Sequence, residues 1–259
     1  MKRDEVLAEA LKTLRAGGTI LYPTDTVWGL GCDATNPEAV AKICAIKRRS
    51  EAKSLVLLAA DLDMVAKYVR QVPSMAVELV EVNDKPMTII YPEAQAGVEG
   101  EPGDRWHLAW NAVAEDGSVG MRIPLFDFCR DLAFKLGRPV VSTSANISGE
   151  PTPARFSEIP QEIKDAVDFV VPPSIDTDST GKASQIIKVG MDGEIEIIRM
   201  YSLVISSEVL VISSAVEKSI DGTVLRIRGR RPHLPAGRRR VRPLLPRAAA
   251  PRRRRDPRD

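Results

Sequence analysis

Tyr22-Pro23-Thr24-Asp25-Thr26-Val27-Trp28-Gly29-Leu30-Gly31 sets two hydroxyls and a carboxylate just past an apolar run, and Lys47-Arg48-Arg49 follows one helix's length later. Far downstream, Ser142-Thr143-Ser144-Ala145-Asn146-Ile147-Ser148-Gly149 places three hydroxyls and an amide directly after Pro139-Val140-Val141, while Arg122 and Arg199 each end an apolar stretch. Hydroxyls, amides and fixed cations together suit an anionic, oxygen-rich ligand. The simplest is a nucleotide, whose triphosphate needs several dispersed partners. Each part alone has a plainer reading. Ser and Asn favour turns, cations at a helix end satisfy its dipole, and a surface arginine often makes an ion pair worth little.

Several other chemistries are excluded. His107 and His233 are the only histidines, too few for a multi-histidine metal site. A Ser-His-Asp triad would have to use His107, which lies in a Gly/Glu-rich loop and reads as a surface residue. Cys32, Cys44 and Cys129 are odd in number and lack Cys-x-x-Cys spacing, so they read as reduced thiols. Gly29-Leu30-Gly31-Cys32-Asp33-Ala34 matches G-x-G-x-x-A, but the next helix opens only near Asn36, so the strand-turn-helix context of a dinucleotide site is missing. No Walker A sequence occurs, so any ATP must be held by side-chain cations and hydroxyls.

The elements that position these residues follow from periodicity. Val6, Leu7, Ala10, Leu11 and Leu14 recur at helical spacing before Gly17-Gly18 stops the helix. Thr19 to Tyr22 is a short buried strand, and Thr35-Asn36-Pro37-Glu38 caps and opens a helix that Lys47 and Arg49 close. Strands are expected at 54–58, 87–91, 119–123, 139–142, 169–171, 184–189 and 194–199, the last two paired as a hairpin around Met191-Asp192-Gly193. Helices are expected at 61–68, 73–82 and 127–136. This alternation predicts an α/β fold, a twisted mixed open sheet with helices. Residues 93–118 form a long Gly/Glu-rich loop, a lid or a disordered segment.

Residues 1–200 read as one catalytic domain, 201–225 are ambiguous between strand and helix, and 226–259 are an Arg/Pro-rich tail expected to be disordered. The tail holds fourteen arginines and two aspartates. That leaves 23 basic against 33 acidic residues, a formal charge of −10, in the first 225 of 259 residues. A basic site in that acidic globule must be a local concentration of charge, and the tail reads either as a plain extension or as an RNA-attracting arm. No apolar run reaches membrane-spanning length and the N-terminus has no signal-peptide pattern, so a cytoplasmic protein with no membrane contact is expected.

The Tyr22–Leu30 motif, Lys47-x-Arg49, Ser118-Val119-Gly120-Met121-Arg122-Ile123-Pro124 and Ser144-x-Asn146 with its continuation through Pro153 closely resemble the YrdC/YciO family, in order and spacing, to about Arg199. The resemblance implies a YrdC-like fold. It also implies an enzyme that joins L-threonine, bicarbonate and ATP, with Mg2+ accompanying the triphosphate, into L-threonylcarbamoyladenylate and pyrophosphate. Downstream tRNA-modifying transferases would pass the group to tRNA adenosine 37, with tRNA contact by this chain an option. By matching positions, Thr26, Arg122 and Ser142 would hold threonine. Lys47, Arg49, Ser118, Ser144, Asn146, Thr152 and Arg199 would face the nucleotide, with Lys47 and Arg49 catalytic through charge stabilisation. Leu58 stands where some members carry a substrate-contacting histidine. Alternatives are a non-catalytic RNA-binding protein of the same fold, or a carbamoyl-adenylating relative, which would normally carry further domains.

Overall fold

The computed structural model describes residues 2–49, 55–176, 179–199 and 226–227. Helix α1 (Arg3–Arg15) buries the five apolar positions expected of it and packs on α5 (Asp127–Leu136), which Gly137 ends in the left-handed conformation with φ 74°. Helix α2 (Pro37–Ile46) begins as its sequence dictates: Asn36 Oδ1 accepts from Ala39 N at 3.0 Å, and Pro37 fills the first position. Helices α3 (Leu62–Tyr68), α4 (Ser74–Val82) and α6 (Gln161–Ala166) complete the set among the described residues, the last unforeseen from sequence.

The strands are β1 (Ile20–Tyr22), β2 (Gly29–Gly31), β3 (Val56–Leu58), β4 (Met87–Tyr91), β5 (Val119–Arg122), β6 (Val140–Ser144), β7 (Phe169–Val170), β8 (Gln185–Val189), β9 (Ile195–Arg199) and β10 (Arg226–Ile227). They form one sheet in the order β10-β9-β8-β4-β5-β3-β6-β2-β1-β7. The pairs β1/β7, β3/β5 and β4/β8 are parallel and the others antiparallel, so the sheet is mixed and β8–β9 is the expected hairpin. The expected segment 201–225 lies outside the described residues, as does nearly all of 226–259. Arg226 pairs with Glu196 and Ile227 with Ile195.

Three local corrections bear on function. Strand β2 is absent from the expected strands. The hydroxyl run at 142–144 is the second half of β6, not a turn after it: Ser144 pairs with Gly29 and Ser142 with Val56. The 93–118 loop, expected as a lid or a disordered segment, follows a described path anchored to the neighbouring elements, with residues 98–106 exposed between the anchors. Ala109 N donates to Ala34 O, Asn111 Nδ2 to Pro37 O and Tyr68 OH to Arg105 O, at 2.9, 2.9 and 3.0 Å. Its His107 is a partly exposed surface residue, as expected, and its ring pairs with Asp104.

The second glycine of β2 has a packing cause. A Cβ on Gly31 would stand 2.5 Å from Tyr22 Cε1 and 2.8 Å from Val141 O, because the Tyr22 ring crosses that strand to donate its hydroxyl to Val141 O. Gly31→Ala should therefore lose about 1–3 kcal/mol of stability through overpacking. Urea unfolding checks this, and an unchanged midpoint would mean that the ring can step aside.

Candidate functional site

Strands β2, β3, β6 and β8, the ends of β5 and β9, and the 23–28 loop enclose a cavity of about 210 Å³. Its lining includes Thr26, Arg49, Arg122, Ser142, Ser144, Thr152 and Arg199, all predicted as site residues. Strand alternation explains part of this, since Ser142 and Ser144 are two apart and share a face of β6. Gly29, opposite Ser144, adds no side chain to that face. A second hollow of about 380 Å³ shares Arg49, Thr143 and Ser144 with the first and adds Lys47, Arg48, Asn146, Ser148 and Gly149. Ser118 is the exception. It precedes β5, at the opposite end from Arg122, lines neither hollow, and donates its hydroxyl to Asp116 Oδ1 at 2.5 Å. That bond is the main cause of Asp116 falling to about 2, with Lys188 adding to it.

The 23–28 loop is wired internally. Thr24 Oγ1 donates to Val27 O at 2.8 Å, so the 2.8 Å bond between the two threonine hydroxyls runs from Thr26 to Thr24. Thr26 Oγ1 in turn accepts from Arg122 Nη2 at 3.2 Å. Asp25, to which the sequence reading gave no role, is 2.5 Å from Arg122 Nη1 and accepts from Leu125 N through its other oxygen. From outside, Ser179 Oγ donates to Thr24 O and Gly181 N to Thr26 O, at 2.6 and 2.8 Å. Trp28 is fully buried, with Nε1 on Asp176 at 2.6 Å and its ring against Phe156. An acid between two threonines was the available signal for Asp25. Nothing local marked Asp176 or Ser179.

Lys47 caps α2 at its C-terminus, and Arg48 takes φ 50°, where glycine is usual. Arg49 N closes that turn on Cys44 O at 3.0 Å, and the Arg49 side chain lines both hollows. Lys47 itself points into protein. Its Nζ donates to Ser144 O at 2.5 Å and Asn146 O at 2.7 Å, with Asn146 Oδ1 at 3.5 Å. Asn146 Nδ2 serves Ile147 O and Glu150 O, at 3.0 and 2.7 Å. Lys47 and Asn146 thus hold the end of β6 and the turn after it.

Burial, and then the nearby Arg49, pull Lys47 down to about 8 from the ordinary 10.5. Below pH 8 it is protonated in folded and unfolded chains alike. Between about 8 and 10.5 the folded chain has shed a proton that the unfolded chain keeps, so this group makes stability rise with pH across that window. The stability difference between the parent chain and Lys47→Met should therefore widen in the parent's favour from about pH 7.5 to about 9.5. Urea midpoints at both pH values test this, and a constant gap would contradict a depressed Lys47.

A family model described as Telomere recombination, covering the Sua5, YciO and YrdC proteins, matches residues 12–200. The chain belongs to the Sua5/YciO/YrdC family. It is 32% identical over 171 residues to the threonylcarbamoyl-AMP synthase of Stenotrophomonas maltophilia, covering 65% of this chain and 87% of that one. The like-named enzyme of Halorhodospira halophila is 32% identical over 164 residues, covering 63% and 80%. Escherichia coli YciO superposes with a TM-score of 0.60 at 25% identity, over 76% of this chain and 89% of YciO. P. abyssi Sua5, crystallised with L-threonine, gives the same TM-score at 22% identity. It is a likeness of fold over 73% of this chain and 52% of that longer one.

The Sua5/YciO/YrdC match ends at residue 200, so the described site falls within it. Leu58 is buried beside Arg122 on the neighbouring strand and does not line the cavity. Among the described residues no three His, Cys, Asp or Glu side chains converge to hold a metal. None of their helices is long and apolar enough to cross a membrane.

Proposed function

We propose that this chain makes L-threonylcarbamoyladenylate from L-threonine, bicarbonate and ATP, releasing pyrophosphate, and that transferase partners then carry the group to tRNA adenosine 37. The observation that carries this reading is the polar cavity onto which the predicted threonine-binding Thr26, Arg122 and Ser142 converge with Arg49, Ser144, Thr152 and Arg199. Arg122 receives the threonine carboxylate, with the Thr26 and Ser142 hydroxyls beside it. The threonine amine, as its free base, and bicarbonate condense to a carbamate and water. A carbamate oxygen then attacks the α-phosphorus, the bond to the bridging oxygen breaks, and pyrophosphate leaves. This reaction depends on placement and on charge opposite the phosphorus, not on a strong general base. Arg49, which lines both hollows, supplies that charge, and Lys47 positions the Ser144–Asn146 wall.

Mg2+ fits only as an ion carried on the nucleotide. Asp25 is engaged by Arg122 and lies off the wall, whose side-chain oxygen donors among the described residues are hydroxyls such as those of Ser142, Ser144 and Thr152. When bound, Mg2+ neutralises phosphate charge. The test is pyrophosphate release from MgATP and bicarbonate by the full chain, with and without L-threonine. Threonine-dependent release is expected. Folded protein with none would overturn the synthase reading and leave the RNA-binding one.

A further inference from the structure

Arg122 reaches the cavity with its charge already compensated. The guanidinium and the Asp25 carboxylate are 3% and 6% exposed and 2.5 Å apart, and Asp25 does not line the cavity. Leu125 N fixes the second carboxylate oxygen at 2.9 Å, and Thr26 Oγ1 takes Nη2 at 3.2 Å. Arg199, lining the same cavity, donates Nε to the Ser184 carbonyl at 2.9 Å, a partner that orients a guanidinium without neutralising it. A neutralised, immobile donor selects by geometry and suits one planar carboxylate. Uncompensated cationic charge attracts a polyanion.

We infer that Asp25 is a specificity-determining residue. It reserves Arg122 for the carboxylate of the amino-acid substrate and keeps polyphosphate off that position. The inference rests on reading the cavity as the threonine and nucleotide site, and it explains how two anions of different charge can sort themselves among guanidinium groups in one small space.

The test is calorimetric titration of the full chain with inorganic pyrophosphate and, separately, with L-threonine. Asp25→Asn keeps the shape and the acceptor for Leu125 N but removes the charge. It should bind pyrophosphate at least ~10-fold more tightly than the parent and L-threonine at least ~10-fold more weakly. Bound threonine should then be displaced by pyrophosphate, which does not happen in the parent. A purely structural role would lower affinity for both ligands. Unchanged or weaker pyrophosphate binding by folded Asp25→Asn overturns the inference.

Should that variant not fold, Asp25→Asn combined with Arg122→Gln removes both charges. It should bind pyrophosphate as the parent does, and a loss would show that Arg122 holds pyrophosphate in the parent and would overturn the inference equally. Pyrophosphate titration needs no turnover. A parent chain without threonine-dependent activity would therefore refute the synthase reading, while this titration still judges the pair.

Discussion

Arg122→Ala is expected to unfold about 3–5 kcal/mol more easily than the parent chain and to lose threonine-dependent turnover altogether. The stability loss comes from what remains. Asp25, 4% exposed in the parent and bonded to Leu125 N, loses the cation that offsets its desolvation. Replacing both members, Arg122→Met with Asp25→Leu, should restore much of the stability, because an apolar pair needs no solvation. It should restore none of the turnover, since the donor to the substrate carboxylate is gone. Urea unfolding of the two variants separates these effects. If Arg122→Ala unfolds at the parent's midpoint, the pair is hydrated in solution and has little hold on the site.

Arg49→Ala should act chiefly on turnover, which falls ~10²–10³-fold, the usual cost of removing one electrostatic contact to a transition state. The helix end survives the change, because the bond from residue 49 to Cys44 O uses backbone atoms. Arg49→Lys should recover only part of the rate, a point charge being a poor substitute for a planar fork that addresses two oxygens. Steady-state pyrophosphate release with saturating ATP and threonine gives the number. A rate within about threefold of the parent would remove Arg49 from the role assigned to it.

Much of the architecture was legible because it is local. Apolar spacing marked α1, α2 and α5, Asn36-Pro37 marked the start of α2, and the Met191-Asp192-Gly193 turn marked the β8–β9 hairpin. Where the chain was misread, the deciding partner was remote. Ser142-Thr143-Ser144 has the composition of a turn, yet Gly29 and Val56 hold it in register as strand, since ladder pairing overrides a weak local preference.

The residue types of the site, their order and their kinship were determined by sequence alone, because cations and hydroxyls in that pattern are readable without knowing how the chain folds. Tertiary structure decided what each of them does. Lys47, one residue of a motif shared with Arg49, is turned onto carbonyls 97 and 99 residues away, whereas Arg49 stays on the cavity wall. Asp25 meets Arg122 across 97 residues of chain. Burial then fixes the outcome: out of water a charge must find its compensation inside the protein, and only the folded chain determines which distant group supplies it.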